Sequence, residues 1–217
     1  MISQSQDLLS LEGCITYDGS IELSSTLGGD IIFPDDLETI TGALTADGIS
    51  ATSIQALGLS TIGTIPQSGG QFDDSLAIMN SPRLTAVSFP QLQSIGGDLF
   101  IAKNPAWKKI EGFSQLKRVE GNIDVTGNFD ELSLPALNYV GKGVNIETTS
   151  RTFTCPISDA RTNGIIHGTG FVCVGNVQNP SSGVGANYTT NPTTTVTVVH
   201  SDAFRLQQSG LEIECIR

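Results

Sequence analysis

Residues 92–101 read LQSIGGDLFI, residues 116–125 LKRVEGNIDV and residues 137–146 LNYVGKGVNI. Each fits L-x-x-[IV]-x-x-x-[LIV]-x-[LIVA], and LETITGALTA over residues 37–46 fits it too, so four copies keep the offsets +3, +4 and +2. The closing alternation has period two, which predicts a strand with every second side chain inward. The leading L-x-x-[IV] is expected to be a turn or short helical step that brings the chain back to the stack.

Outward from these copies, the strand signal recurs at Gly19-Ile21-Leu23, Gly42-Leu44-Ala46, Gly97-Leu99-Ile101, Gly121-Ile123-Val125 and Gly143-Val144-Ile146, and without its glycine at Leu76-Ile78. The first apolar positions, 21, 44, 76, 99, 123 and 144, are separated by 23, 32, 23, 24 and 21 residues. A repeat of about two dozen residues with one insertion is a solenoid signature. The expected fold is mainly β, a right-handed parallel β solenoid of about six coils. Stacked coils build a continuous core and an extended surface, which favours a scaffold or recognition role over a catalytic cleft. Leu84, Val87 and Phe89, then Trp107, Ile110 and Phe113, then Leu132 and Leu134 supply a second buried edge, giving each coil two apolar sides.

Asn80, Asn104 and Asn128 are separated by 24 and 24 residues. An amide offers both donor and acceptor to a coil corner, so the three read as an asparagine ladder, or else as exposed loop residues. The insertion, TIGTIPQSGGQFDDS over residues 61–75, is rich in Pro, Gly and Ser and reads as a protruding loop. Asp73 and Asp74 make it a candidate ligand loop.

The chain has 22 acidic and 11 basic residues among 217, a net charge of −11 that repels nucleic acid and anionic membranes. Its surface must be covered largely by neutral polar groups. No stretch approaches the length of a transmembrane helix. Cys14, Cys155, Cys173 and Cys215 allow three connectivities. No CxxC is present and only His167 lies near a cysteine, so zinc is a poor reading. Cys155 and Cys173 bracket a loop after the last repeat, where a disulfide would cap the solenoid end; pairing implies an oxidising compartment. The opening MISQSQDLLSLEGC shows neither the basic segment nor the apolar run of a secretory signal. From Asn176 the composition turns to Ser, Thr, Pro, Gly and Asn, as expected of a flexible stalk, with Asn187-Tyr188-Thr189 a glycosylation acceptor.

Polysaccharide-cleaving β-helices cluster carboxylates on one face. The candidates here, Asp35-Asp36, Asp73-Asp74 and Asp130-Glu131, are adjacent pairs, and neighbours on a strand point to opposite faces. His167 and His200 lie outside the repeats, and neither Gly69-Gly70 nor Gly96-Gly97 has the Lys and Ser or Thr of a phosphate loop. No catalytic residue, metal ligand or cofactor is therefore expected. Trp107, beside Lys108 and Lys109, reads either as a sugar-stacking ring or as a buried edge residue.

The stretch from Phe89 to Thr149, followed by HGTGFVCVG at 167–175, resembles the fungal GPI-anchored cell-wall proteins of the extracellular-mutant and sporulation-specific type. Cys14 with GSIEL and the run GGDIIFPDDLETITGALTA extend the resemblance over roughly residues 14 to 175. It implies a leucine-rich solenoid of receptor L-domain type in an extracellular, non-enzymatic glycoprotein of the wall or outer membrane surface. Partners would be wall polysaccharide or wall proteins, and membrane contact would come only through the GPI anchor of full-length relatives. Members usually carry a secretion signal, a cysteine preceding the one that matches Cys14, more coils and a hydrophobic anchor signal. Here the stalk runs into HSDAFRLQQSGLEIECIR at 200–217, and the expectation is a shortened or mis-spliced form. The expected organisation is an N-terminal segment at 1–13, a solenoid with a disulfide cap at 14–175, a stalk at 176–199 and an atypical tail at 200–217.

Overall fold

A computed structural model of the chain describes residues 1–63, 74–180, 204–208 and 211–216. Residues 64–73 of the insertion, 181–199 of the stalk and 200–203, 209–210 and 217 of the tail, with Asp73, Asn187 and His200, lie outside the described residues.

The first coil contributes β1 (Thr16–Tyr17), β2 (Ile21–Leu23) and β3 (Gly28–Ile32), and the second β4 (Thr39–Ile40), β5 (Leu44–Asp47) and β6 (Ser50–Gln55). The third holds β7 (Thr61–Ile62), β8 (Leu76–Met79) and β9 (Ala86–Ser88), and the fourth β10 (Ser94–Ile95), β11 (Leu99–Ala102) and β12 (Lys109–Ile110). The fifth holds β13 (Arg118–Val119), β14 (Ile123–Gly127) and β15 (Glu131–Leu132), and the sixth β16 (Tyr139–Val140) and β17 (Val144–Thr148). Then come β18 (Phe171–Val174), β19 (Phe204–Gln208) and β20 (Leu211–Ile216).

The coils stack as parallel strands, and the register follows the sequence repeat: Ile21 pairs with Leu44, Leu44 with Leu76, Leu76 with Leu99, Leu99 with Ile123 and Ile123 with Val144. The main sheet runs β18-β17-β14-β11-β8-β5-β2. Phe171 continues the series beyond Val144. The inward residues of these strands, from Ile21 to Ile146, form one continuous buried core.

Each complete coil has three strand-bearing sides, where two apolar sides were expected. The [IV] of the repeat is not part of a helical step: Ile40, Ile95, Val119 and Val140 lie in the two-residue strands β4, β10, β13 and β16, which pair with β1 and β7 in a second sheet. Only the leading Leu is in a turn. Leu37, Leu92, Leu116 and Leu137 each donate a backbone N–H to the carbonyl three residues earlier. In the 89–92 and 134–137 turns, Pro90 and Pro135 hold the second position, whose φ proline presets. The third side carries β3-β6-β9 and then a separate pair, β12-β15.

Residues 48, 80 and 103 follow mutually paired strand ends and share a left-handed corner, with φ of 67° at Gly48, 51° at Asn80 and 56° at Lys103. Asparagine and glycine tolerate this region best.

Both ends of the stack are covered. A short helix, α1 (Ser5–Leu9), buries Leu8 and the turn after it buries Leu11, and Ile2 bridges to Leu23 at the edge of the main sheet. At the other end the 151–170 segment buries Ile157 and Ala160 and is tied by the Cys155–Cys173 disulfide, with an S–S distance of 2.02 Å. The tail returns to the first coil: β20 pairs antiparallel with β1 and with β19, and Cys215 is bonded to Cys14.

Candidate functional site

Surface for recognition lies on the outward face of the main sheet, along the corners and where coils part. Alternation puts Leu99 and Ile101 inside, so Phe100 and Ala102 face outward, yet both are buried. With Ala77 and Met79 they form a second, small apolar cluster on that face. Beside it Asp124 and Asn145 are also buried, and the Asn145 Nδ2 donates to Asp124 Oδ1 at 3.1 Å. The centre of this face therefore offers a ligand little free surface. Outward positions are exposed at its ends, as at Glu22 in β2 and Val172 and Val174 in β18.

The open concavity is on the third side. No ladder joins β9 to β12, and between these coils lies a groove of ≈ 610 Å³ lined by residues 85–88, 106–109, 111–114 and Ser133. The parting is a wedge. It closes where the Phe89 N–H donates to the Gly112 carbonyl at 2.9 Å. Gly112 has φ of 104°, and a Cβ placed on it would stand 2.0 Å from the Val87 carbonyl oxygen, so only glycine lets the two coils meet here.

Charges around the groove are largely engaged. Lys109 pairs with Glu131 at 3.0 Å, which raises its pKa through the hydrogen bond and the carboxylate charge. Both side chains are more than half exposed, so the pair adds little stability. The Lys108 ammonium donates to the Asn128 carbonyl at 2.9 Å. Hydroxyls from Thr85, Ser88, Ser114 and Ser133 provide neutral polar lining. Trp107 is 1 % exposed, and its indole N–H, itself buried, has no acceptor. A buried donor left unpaired costs about 1–3 kcal/mol. The ring is a buried edge residue and not an exposed stacking platform.

The three asparagines do not share one stacking position. Asn104 is buried, accepts the Ser81 N–H at 3.0 Å and donates to the Ile78 carbonyl at 2.9 Å, clamping two coils. Asn128, one coil on, is exposed and accepts from Thr149 Oγ1 at 3.0 Å. Asn80 lies one residue ahead, in the left-handed corner, with its Nδ2 donating to Asp47 Oδ1 at 2.7 Å. The strand register advances 23 residues from Leu76 to Leu99 and 24 from Leu99 to Ile123, so an even spacing of 24 cannot stack all three.

Asp74 is half-buried at the foot of the insertion, where its carbonyl accepts the Gly97 N–H at 2.8 Å. Asp35 and Asp36 are exposed in the turn before β4, and Asp130 is exposed at a corner. Among the described residues, Asp35-Asp36, Asp74 and Asp130-Glu131 thus lie in separate coils. His167 stacks on Tyr139 at 4.5 Å between ring centroids, and the Arg118 guanidinium covers the Tyr139 ring at 3.5 Å. Arg118 also bonds Glu120, which raises its pKa. Among the described residues no three His, Cys, Asp or Glu side chains are grouped to hold a metal ion, and no helix is long and apolar enough to cross a membrane.

Fold and surface together define a parallel β-solenoid stapled by two disulfides, with a groove where two of its coils part. No family model matches the chain, and no solved structure matches it. Its homologues are fungal cell-surface and cell-wall proteins. The chain is 35 % identical over 98 residues to a cell surface GPI-anchored protein of Arthroderma benhamiae, a match covering 45 % of this chain and 24 % of that protein. It is 31 % identical over 81 residues to sporulation-specific protein 2 of Saccharomyces cerevisiae, covering 37 % and 16 %. With protein ecm33 of Aspergillus fumigatus the identity is 29 % over 116 residues, covering 53 % and 28 %. The matched stretch thus spans about a quarter of these relatives' length or less.

Proposed function

We propose that this chain is a non-enzymatic cell-surface glycoprotein that contributes to fungal cell-wall organisation and integrity. The observation that carries the reading is the similarity to a GPI-anchored surface protein in a chain whose coils stack as parallel sheets. Two disulfides fit an oxidising, extracellular setting. A surface covered by neutral polar groups suits packing among polysaccharide chains, and the partners are wall polysaccharide or wall proteins. Asn187 is the proposed glycan acceptor, and a GPI anchor would supply the membrane attachment. The solenoid is assigned to residues 14–175 and the stalk to 176–199.

The test is fractionation of the tagged protein expressed from its native locus, with growth of a deletion strain on wall-perturbing dyes. The expected result is recovery in the wall or outer-membrane fraction and heightened dye sensitivity on deletion. Recovery in the cytosol with unchanged growth would overturn the assignment.

A further inference from the structure

We propose that the groove between β9 and β12 binds a segment of a neutral, hydroxyl-rich glycan chain. Its volume of ≈ 610 Å³ lies within the range of small-molecule sites. Everything else about its chemistry is unusual for a structural seam. On this side β3, β6 and β9 share one ladder and β12 and β15 another, whereas β9 and β12 are each an edge strand of their own sheet and face each other unpaired. Backbone groups of the two strand edges and the hydroxyls of Ser88 and Ser133 therefore border one concavity. Polar groups along two strand edges that share no ladder need partners, and a hydroxyl-rich ligand supplies them.

The same geometry selects the ligand class. An anion would want unengaged cations, but Lys109 is paired with Glu131, Lys108 is bonded to the Asn128 carbonyl, and Glu111 adds a negative charge to the lining. An inserted peptide strand would need about 4.8 Å on each side. The direct Phe89-to-Gly112 hydrogen bond at 2.9 Å closes that space. A sugar needs no continuous ladder; it needs scattered donors and acceptors around a partly apolar wall, here Ala86, Val87 and Phe113. This inference gives a site to the polysaccharide partner proposed above and rests on that reading only for the ligand's biological source.

Trp107 is the only tryptophan in the chain, so intrinsic fluorescence reports on the groove directly. The experiment titrates the full chain with soluble oligosaccharides of glucose, mannose and N-acetylglucosamine, and with an acidic galacturonate oligomer as comparison. The expected result is a saturable emission change with at least one neutral oligosaccharide and none with the acidic one. Ser133→Arg, which fills the groove mouth from a half-exposed position, should weaken binding at least tenfold without changing the melting temperature. No saturable response to any neutral oligosaccharide, a response only to the acidic oligomer, or full binding by Ser133→Arg would each overturn the proposal. None of these outcomes bears on where the protein resides, which the fractionation reads separately.

Discussion

Cys14 and Cys215, 201 positions apart in sequence, are bonded with their Cα atoms 5.4 Å apart. The link fastens the last strand to the first coil: β20 lies antiparallel on β1, with Cys215 opposite Tyr17. The edge that β1 would otherwise present is thereby paired, and open edges invite association. Loop-closure entropy sets an upper limit of about 5 kcal/mol for a crosslink this long, against about 3 kcal/mol for the short Cys155–Cys173 loop. Cys215→Ala should therefore lower unfolding stability by ~2–5 kcal/mol and speed amide exchange at Thr16 and Tyr17. Urea unfolding and hydrogen exchange check this, beside a non-reducing peptide map. An unchanged midpoint, or a peptide linking Cys14 to Cys155, would refute the pairing.

Asn104 is a clamp and its two apparent equivalents are not. Asn104→Ala leaves the Ser81 N–H and the Ile78 carbonyl without their buried partner, which should cost about 2–3 kcal/mol. Asn128→Ala removes one exposed bond and should cost under about 1 kcal/mol. Asn80→Gly places the residue best suited to the left-handed corner and should be nearly neutral. Chemical denaturation of the three variants gives the ranking, and equal losses at all three would restore the ladder.

The stacking was legible in sequence because the inward positions from 21 to 144 carry the core, and each is paired with its neighbour in the series. The side built on Ile40, Ile95, Val119 and Val140 was not, since a two-residue strand contains no period to detect. The Asn80 displacement came from a one-residue difference between coil lengths, visible only once strands are aligned. Cys14–Cys215 was one of three connectivities that spacing alone cannot separate. The groove depends on a failure of pairing between β9 and β12, a property of two coils together that neither segment's composition records.

Gly112 holds the closed end of the groove. Alanine there meets both an unfavourable φ of 104° and the Val87 carbonyl oxygen at 2.0 Å. Since the obstacle is backbone, the coils have to separate, and Gly112→Ala should cost ~3 kcal/mol or more. For a chain of this size that is a fall of roughly 6–12 °C in Tm. Gly164, with φ of 69° and nothing within 4 Å of an added Cβ, isolates the conformational part. Its alanine variant should cost only about 1 kcal/mol. Thermal melts of both variants decide; equal, small losses would mean the coils part freely at Gly112.

Asp7 ties down the N-terminal cap. Its carboxylate accepts the backbone N–H groups of Ser3 at 2.8 Å and Gln4 at 3.1 Å and the Gln4 side-chain amide at 3.2 Å. The Ser3 bond is the largest influence, and the hydrogen bonds together outweigh burial, holding the pKa below the ordinary aspartate value of 3.8. A depressed carboxylate pKa contributes stability that is fully present above the unfolded value and lost as pH falls through the folded one. The cap should therefore be unaffected from neutrality to about pH 5 and loosen below about pH 4. Because the cap covers Leu8, Leu11 and the Ile2 bridge to Leu23, its loosening exposes the first coil. Asp7→Asn should lower stability by up to about 1 kcal/mol at pH 7, and the difference between the two proteins should shrink as the pH falls below the unfolded value. Amide exchange at Ile2 and Ser24, followed from pH 7 to pH 3 with correction for intrinsic rates, measures this. Protection that is equal in both proteins at neutral pH would show that the carboxylate does not hold the cap.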